Sequence, residues 1–319
     1  MGQLSNNSTI KIGISSCLMG HKVRLDTGHK KNSYLTAVLS DHLNFVHYCP
    51  EIEIGLGTPR EPIRLVEIDS EILCVDSKQG VMDITDKLYD IAEKQRHWQS
   101  DLCGYILKKD STSCSMERVR VYSNDMPERK GDGLYAERLL ANNPCLPVEE
   151  EGRLENAHLR ENFFKRVFIY ARWKELTSTS LTVSRLQNFH ATHKYIFMSH
   201  NQKQAVELGV LLANISKGDL ESVTSKYLTK MMSLLKIIAT KGNHVNTLKH
   251  IQGYLKNHLD ASDKEELVDV IENYRLGQLP LIVPITLLRH YFRRHPNDYI
   301  NQSFYLNPHP GELMLFNSI

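Results

Sequence analysis

Long apolar runs are missing from this 319-residue sequence. No stretch approaches the roughly 20 consecutive apolar residues that a membrane-spanning helix needs. The first seven residues are polar and do not place a basic segment ahead of an apolar one. We therefore expect no secretory signal and a cytoplasmic protein.

Local cysteine pairs are also missing. The six cysteines include no Cys-x-x-Cys motif and no zinc-finger spacing of Cys and His. A structural zinc site of the usual local kind is therefore disfavoured. Without a signal peptide, a disulfide framework is not expected in a chain of this size. The cysteines are interpreted as core residues, metal ligands or reactive thiols.

A strong excess of charge of one sign is absent as well, because the net charge is only +2. The charge is nevertheless unevenly distributed. Residues 1–152 hold 18 basic and 23 acidic residues, whereas residues 153–319 hold 21 and 14, together with ten of the 15 histidines. This asymmetry favours an anionic partner for the second half. Scattered, solvated charge is the alternative interpretation.

The first 150 residues alternate short strand-like runs with amphipathic segments. Strand patterns occur at 10–15, 45–48, 63–75, 105–107 and 119–122, and helical spacing occurs at 34–43, 82–98 and 134–141. This alternation predicts an α/β domain over 1–150, with a mainly parallel sheet covered by helices on both faces.

Beyond residue 150 the pattern becomes helical. Helical spacing covers 154–176, 181–199, 202–213, 220–239, 245–259, 264–274 and 284–294. The sequence therefore predicts an all-α domain over 151–319, with the domain boundary near residue 150.

Three of the cysteines share one kind of position. Cys17, Cys49 and Cys114 follow predicted strands at their carboxyl ends. In a parallel sheet these ends meet at one edge, where ligands bind. Three thiolates suit a metal centre that keeps one coordination position open. Small buried residues at strand ends are the alternative. Cys74 and Cys103 are expected in the core, and Cys145 in a loop.

The strings around these cysteines resemble the thiouracil desulfidase family. The resembling strings are Ser15 to Gly20, Arg24 to Gly28, Cys49 to Glu51, Gly55 to Arg60, and Lys108 with Ser111 to Cys114 followed by Arg118 to Tyr122. They follow the order of the family motifs over roughly residues 10–150. The chain has Thr112 where the family usually has proline and Ser115 where it usually has glycine, so the shape of that loop is expected to differ.

The resemblance implies a 4Fe-4S cluster held by Cys17, Cys49 and Cys114. It also implies that Glu51 acts as an acid or base on substrate or water, and that Ser111 positions the substrate. Further candidates for substrate binding are Ser16, Arg24, Asp26 and Lys108. Arg24 and Asp26 have a second interpretation, as parts of a turn before Gly28.

The implied cofactor suits the implied substrate. A thiocarbonyl is a soft donor, and iron with sulfur ligands is a soft acceptor. Iron would stabilise the sulfur as it leaves the ring carbon, while a nearby carboxylate activates the water that replaces it.

The second half resembles the helical domain found behind such desulfidases, which is taken to bind tRNA. The resembling strings are 189–195, 246–256 and 279–288. Candidate phosphate contacts are Lys194, Lys249, Lys256, Arg289, Arg293 and Arg294, and candidate base-stacking residues are His190, His193 and Tyr195. His190, His193 and His200 share a helix face, which would also permit metal binding. Arg293 and Arg294 also suit the end of a helix, where basic residues favour the dipole.

The sequence thus predicts a tRNA 4-thiouridine desulfidase that hydrolyses the C=S bond and releases uridine and sulfide. Two alternatives remain open. The first is a desulfidase of free thiouracil whose helical domain serves oligomerisation. The second is a non-enzymatic RNA-binding protein whose cluster is structural or senses oxidants.

Overall fold

The computed structural model describes residues 10–310 except 41, 79, 81, 125, 214 and 216–218. The chain forms two compact units that divide between Glu155 and Asn156. That these two units are separate domains with a boundary near residue 150 stays a prediction. The fold class is confirmed, because the first unit contains a parallel sheet with helices and the second is helical.

The first unit contains two four-stranded sheets. The first sheet has the order β2-β1-β5-β8 and is parallel throughout. Its strands are β1 (Lys11–Ser15), β2 (Asn44–Tyr48), β5 (Gly104–Leu107) and β8 (Val148–Glu150). Because all four run in one direction, their carboxyl ends lie along one edge.

The second sheet has the order β4-β3-β6-β7 and mixes parallel with antiparallel pairs. Its strands are β3 (Ile63–Ile68), β4 (Glu71–Asp76), β6 (Val119–Ser123) and β7 (Met126–Gly131). The sequence pattern did not reveal β7 and β8. Strand β7 is exposed at five of its six residues and has no apolar alternation. Strand β8 is only three residues long and carries two glutamates.

The helices of the first unit are short. They are α1 (Pro50–Glu53), α2 (Thr85–Lys94), α3 (Arg96–Gln99) and α4 (Leu134–Asn142). Within the described part of 34–43, the helical pattern forms a π-helical segment, Leu35–Leu39, which buries Leu35 and Leu39 completely. Cys74 lies in the apolar core of the second sheet with Leu65 and Leu88, as expected for a core cysteine.

The second unit consists of helices. They are α5 (Ala157–Thr177), α6 (Val183–His200), α7 (Gln202–Ala213), α8 (Leu220–Lys236), α9 (Lys241–Gln252), α10 (Ala261–Leu276), α11 (Ile282–Arg294) and α12 (Asp298–Asn301). Polar residues cap several of them. The side chains of Asn156, Thr182, Thr240 and Asp260 accept hydrogen bonds from backbone N–H groups of the first turn.

Helix α5 is buried over most of its length, so its sequence is not amphipathic. Phe163, Phe164 and Val167 are fully buried. Glu161 and Lys165 are buried as well and form an ion pair at 2.5 Å, which compensates both charges. Among the described residues, no helix is both long and apolar enough to cross a membrane.

Candidate active site

A cavity of about 170 Å³ opens at the carboxyl edge of the parallel sheet. The residues after β1, β2 and β5 meet there, as the topology predicts. Its lining includes Ser15, Ser16, Cys17, Arg24, Tyr48, Cys49, Glu51, Arg60, Lys108, Lys109, Ser111 and Cys114. The cavity therefore collects the three predicted cysteine ligands and most of the predicted catalytic and substrate-binding residues.

Cys17 is placed by a 3₁₀ turn, Ser16–Met19, directly after β1. The turn ends at Gly20, whose φ of 97° suits a residue without Cβ. The Cys17 carbonyl accepts hydrogen bonds from the N–H groups of Gly20 at 3.3 Å and Lys30 at 2.9 Å. The turn and the following loop are thus joined through the backbone of Cys17.

Cys49 immediately precedes α1, and Pro50 occupies the first turn of that helix. Proline is favoured at this position because its φ angle suits a helix and its missing N–H would have no helical partner. Glu51 follows in the same turn. Strand β2 and the rigid start of α1 therefore bring Cys49 and Glu51 to the cavity together.

Cys114 lies in a loop that packs against the beginning of α4. The N–H groups of Gly133, Leu134 and Ala136 donate to the carbonyls of Ser115, Thr112 and Ser113. A Cβ atom on Gly133 would lie only 2.6 Å from the Ser113 backbone. Glycine at 133 is therefore required for this close approach, which fixes the position of Cys114 on both sides.

The ends of strands β1 and β8 secure the same loops. The Ser15 hydroxyl accepts a hydrogen bond from the Lys108 N–H at 3.1 Å, which links the ends of β1 and β5. Glu150 accepts hydrogen bonds from the Ser115 hydroxyl and from the Met116 N–H, the latter at 2.9 Å. The buried Glu150 thus holds the segment that follows Cys114.

The three thiols are shielded from water. Cys17 and Cys114 are buried, and Cys49 is half-buried. Burial, followed by the neighbouring Cys49 thiol, raises the pKa of Cys17 to about 11, and burial likewise raises the pKa values of Cys49 and Cys114. Because thiolates would repel one another in this cavity, a bound cation would favour their ionisation.

The spacing of the three cysteine thiols bears on whether they would hold a single metal ion or the predicted 4Fe-4S cluster. Among the described residues, no three His, Cys, Asp or Glu side chains are close enough to share a single metal ion. Tetrahedral thiolates on one ion would lie roughly 3.8 Å apart, from bonds of about 2.3 Å. Ligands of an iron–sulfur cluster bind different iron atoms and are spaced more widely. Cys17, Cys49 and Cys114 line one cavity and form no disulfide, so their thiolates would suit an iron–sulfur cluster as soft donors.

Tyr48 supplies a second observation on the same cavity. Its ring is buried, and its hydroxyl makes no hydrogen bond within the described part of the chain. A buried hydroxyl without a partner is costly, so this group suits a site where a bound species completes its hydrogen bonding.

Glu51 is held through both of its oxygens. Ser113 donates from its hydroxyl to Oε1 at 2.6 Å, and Arg60 pairs with Oε2. The side chains of Arg60 and Glu51 are only 7% and 15% exposed, so this pair is screened little by solvent. Arg60 also donates to the Gly57 carbonyl at 2.8 Å. The carboxylate is therefore fixed in direction and balanced in charge.

Ser111 continues this hydrogen-bonded group. Its hydroxyl lies 3.2 Å from the Ser113 hydroxyl and accepts from the Cys114 N–H at 3.1 Å. The Ser113 hydroxyl lies 3.5 Å from Cys114 Sγ. Glu51, both serines and the Cys114 thiol thus belong to one connected cluster of polar groups.

Of the predicted substrate-binding residues, Lys108 lines the cavity and Asp26 does not. Lys108 lines it, and its ammonium pairs with Glu151, which also accepts from the Lys109 N–H at 2.7 Å. Asp26 is exposed and accepts from the Gly28 N–H at 3.0 Å, closing the turn that was the alternative interpretation. Asp26 is not among the cavity residues, whereas Arg24 and Ser16 are. Substrate binding by these residues stays a prediction.

Four functional side chains were not identified from the sequence. The Gly55–Arg60 string was recognised as a family resemblance, but no role was assigned to the Arg60 side chain. Ser113, Glu151 and Tyr48 gave no signal of their own. A buried carboxylate needs a counter-charge and hydrogen-bond donors, and this requirement is the signal that points from Glu51 to Arg60 and Ser113.

Among the α6 histidines that were predicted to contact RNA, the structure buries His193 and leaves His190 partly exposed. His193 is 1% exposed and stacks on Phe189 and Phe304 inside the helical unit. The prediction that His193 contacts RNA is therefore corrected, because a base could reach it only after the core opened. His190 is half-buried, and its Nδ1 lies 3.0 Å from the Tyr227 hydroxyl. His200 is buried too.

The predicted phosphate contacts are of two kinds. Lys194, Lys249, Lys256, Arg293 and Arg294 are exposed. Arg289 is half-buried, and its guanidinium donates to the Leu306 carbonyl. Burial lowers the pKa of Arg289, and its hydrogen bonds tie the segment after α12 to α11. RNA contact by any of these residues stays a prediction.

Comparisons with known proteins match two separate parts of the chain. Residues 12–151 match a family model described as 2-thiouracil desulfurase, and residues 194–310 match one described as a protein of unknown function. The uncharacterized protein YbgA of Escherichia coli K12 is 29% identical over 154 residues, which are 48% of this chain and 91% of YbgA.

A solved structure of the 4Fe-4S-dependent thiouracil desulfidase TudS is 28% identical. The match covers 46% of this chain and 94% of that one, with a TM-score of 0.37. The family matches therefore support the predicted thiouracil desulfidase family for residues 12–151 and give the helical residues 194–310 a family without an assigned function.

Proposed function

We propose that this chain is an iron–sulfur-dependent desulfidase acting on a thiolated uracil base, most specifically on 4-thiouridine in tRNA. One observation carries the proposal. Three unpaired thiols, a fixed carboxylate and a serine hydroxyl converge on one cavity at the carboxyl edge of a parallel sheet. The match of residues 12–151 to the 2-thiouracil desulfurase family supports the same reaction class.

Cys17, Cys49 and Cys114 would hold a 4Fe-4S cluster through their thiolates. When bound, such a cluster supplies a soft Lewis acid for the thiocarbonyl sulfur, because three protein ligands leave one iron without one. The hydroxyl of Tyr48 and the shielded position of the thiols suit a bound group of this kind.

The side chains around the cysteines would perform the hydrolytic part of the reaction. Glu51 Oε1 and Oε2 already accept from Ser113 and Arg60, and each oxygen keeps a further lone pair. The carboxylate can therefore take a proton from water as the water adds to the ring carbon. The balanced reaction replaces C=S by C=O, consumes one water and releases sulfide.

Ser111 and Lys108 would orient the ring. The Ser111 hydroxyl accepts from the Cys114 N–H, so its own proton is free to point to Ser113 or to a substrate oxygen. Lys108 is held at the cavity by Glu151. A cation there would stabilise negative charge that develops on the ring during addition.

The cavity suits a single base, and the charge of the second half favours RNA as the molecule that carries this base. The cavity, at about 170 Å³, is smaller than the roughly 300–1,000 Å³ of pockets for drug-sized ligands, so it suits one ring and not a base pair. A base in a folded RNA would have to leave its stack to enter. The second half of the chain is basic and exposes Lys194, Lys249 and Arg293, which suit phosphate contacts.

The test uses the full chain reconstituted anaerobically with iron and sulfide. It is mixed with tRNA that contains 4-thiouridine and, separately, with free 4-thiouracil. We expect loss of the thiocarbonyl absorbance in tRNA and stoichiometric release of sulfide. Turnover of the free base alone would replace tRNA by free thiouracil as the substrate. Binding of tRNA without loss of absorbance by cluster-loaded protein would contradict the enzyme and favour an RNA-binding protein.

A further inference from the structure

A basic loop lies next to the cavity in the otherwise acidic first half. Residues 21–31 carry Lys22, Arg24, Lys30 and Lys31 against a single acidic residue, Asp26, and also contain two histidines. Residues 1–152 as a whole have five more acidic than basic residues. The local excess of positive charge is therefore opposite in sign to that of the surrounding half.

Three lysines of this loop project from it to solvent. Lys22, Lys30 and Lys31, here called the basic rim, are all exposed. Within the described residues none of the three forms a salt bridge. Other exposed cations of the same unit are paired, including Lys11 with Asp101, Arg129 with Asp110 and Lys130 with Glu67. The basic rim thus keeps its charge available for an external partner.

Backbone contacts hold the basic rim at the cavity. The Lys30 N–H donates to the Cys17 carbonyl at 2.9 Å, and the Asn32 N–H donates to the Leu18 carbonyl at 2.9 Å. The Lys31 side chain passes over Gly20, with its Cδ 3.4 Å from the position a Cβ would take there. The lysines are therefore anchored to the same turn that carries Cys17.

The loop between these anchors forms part of the cavity wall. Val23, Arg24 and Leu25 line the cavity, and the Leu25 carbonyl accepts from the Arg60 N–H at 3.1 Å. A single loop thus contains both the residues of the cavity wall and the lysines of the basic rim. Lys22 directly precedes the wall residue Val23, and the Lys30 N–H donates to the carbonyl of the wall residue Cys17, so both lysines neighbour residues that line the cavity.

We infer that the basic rim binds the phosphate backbone of the RNA strand whose thiolated base enters the cavity. The inference rests on the proposed function and deepens it, because it assigns RNA recognition to the catalytic unit itself. In a strand, phosphates lie on both sides of each base, so a base in the cavity brings phosphates to its mouth. Lysines act at such positions as point charges that release counterions.

The composition of the loop favours RNA over an anionic membrane surface. A membrane-binding loop combines basic residues with apolar residues that insert among the lipids. Between residues 20 and 32, Leu25 is the single large hydrophobic residue that is exposed, and it lines the cavity. An apolar anchor for a bilayer is therefore missing from this part of the described chain.

The experiment compares two triple variants of the full chain. The first carries Lys22→Gln, Lys30→Gln and Lys31→Gln. The matched control carries Lys78→Gln, Lys87→Gln and Lys94→Gln, which also removes three exposed lysines of the same unit, none of which lines the cavity. Binding of 4-thiouridine-containing tRNA is measured by fluorescence anisotropy between 50 and 200 mM salt, with and without reconstituted cluster.

We expect the rim variant to bind tRNA roughly tenfold more weakly at low salt. The slope of its log association constant against log salt concentration should be smaller in magnitude by about 2 to 3. The ratio of kcat/KM for tRNA to that for free 4-thiouracil should fall by a similar factor. A second rim variant with arginine at all three positions should recover tRNA binding, because it keeps the charge.

Three outcomes would overturn the inference. They are an unchanged salt slope in the rim variant, an equal loss in the control variant, and wild-type binding to vesicles of anionic lipid without binding to tRNA. The measurement of binding also separates this inference from the proposed function. If wild-type protein converts neither substrate but the salt slope still depends on the basic rim, only the desulfidase assignment fails.

Discussion

Ser113 donates a hydrogen bond of 2.6 Å from its hydroxyl to Oε1 of Glu51, across 62 residues of sequence. Ser113 is fully buried, and its hydroxyl lies 3.5 Å from the thiol sulfur of Cys114. The bond therefore joins the start of α1, which also carries Cys49, to the loop that carries Cys114. The carboxylate and two cysteines are held as one unit.

Replacement of Ser113 by alanine is expected to leave Glu51 held by Arg60 alone, and therefore less firmly oriented. A hydrogen bond to a charged group contributes about 1.5–3 kcal/mol, so kcat should fall roughly 10- to 100-fold if orientation is its role. Iron content should not change, since Ser113 is not a ligand. The check is a double-mutant cycle with Glu51→Gln. If Ser113 acts through Glu51, its loss should have little further effect in the Glu51→Gln background, and additive losses would contradict this role.

Glu51→Gln is expected to keep the cluster and lose turnover. Glutamine has nearly the same shape but cannot take a proton from water, and general base catalysis contributes about 10²- to 10⁴-fold. Iron and sulfide analysis together with single-turnover assays would check this. Glu53→Gln on the same helix is the matched control, because Glu53 is exposed and does not line the cavity. A fully active Glu51→Gln protein would end the assignment.

Arg60 is expected to orient Glu51 because its guanidinium donates two hydrogen bonds in different directions, which the ammonium of lysine cannot reproduce. One guanidinium nitrogen contacts the carboxylate and another the Gly57 carbonyl. Arg60→Lys should retain part of kcat, whereas Arg60→Gln, which leaves a nearly buried carboxylate without its counter-charge, should lose about 10²-fold or more. Equal activity of the two variants would show that this pair of hydrogen bonds is not required. Lys78→Gln, which breaks the exposed pair with Glu61, should have no effect.

Each of the variants Cys17→Ala, Cys49→Ala and Cys114→Ala is expected to lose the cluster and turnover. A cluster with only two protein thiolates would be bound too weakly to survive purification. Cys74→Ala is the control, because Cys74 lies in the core of the second sheet, and it should keep iron while losing some stability. Anaerobic iron and sulfide analysis gives the result. Iron retention in any of the first three variants would remove that cysteine from the ligand set.

Acid is expected to destabilise the helical unit. Burial lowers the pKa of His200 to about 3 and that of His190 to about 4, whereas an unfolded histidine has a pKa of about 6.5. Between these values the unfolded chain binds protons that the folded unit does not. The stability is therefore fully present above about pH 6.5 and declines as pH falls towards 4, by about 1–2 kcal/mol for each histidine at pH 5.

Urea unfolding followed by far-ultraviolet circular dichroism at pH 7.5 and pH 5.0 would measure this decline. His200→Gln should reduce the difference between the two pH values, because it removes one group that must stay neutral. His250→Gln is the matched control, since His250 is exposed on α9. Equal pH dependence in the wild type and His200→Gln would contradict the role of His200.

Much of the secondary structure followed from local pattern. Strands β1, β2 and β5 and most of the long helices were predicted within a few residues, because apolar periodicity and capping residues are local signals. Helix α9 is the exception, since it ends at Gln252 and not at residue 259. Strand β7 escaped, since it is exposed and gains its place from pairing with β6. The segment 34–43 has helical spacing, and its described part contains a short π-helical segment, Leu35–Leu39, between β1 and β2.

The sequence by itself determined which residue types the candidate site contains, because the motifs around Cys17, Cys49 and Cys114 and the strand-end position of each thiol are local features. Tertiary structure alone decided how these groups are connected. Arg60 and Ser113 hold Glu51 only because three loops meet at one sheet edge, and His193 is buried only because α6 packs its aromatic face inward. Contacts between residues distant in sequence depend on the register and packing of whole elements, which no local pattern encodes.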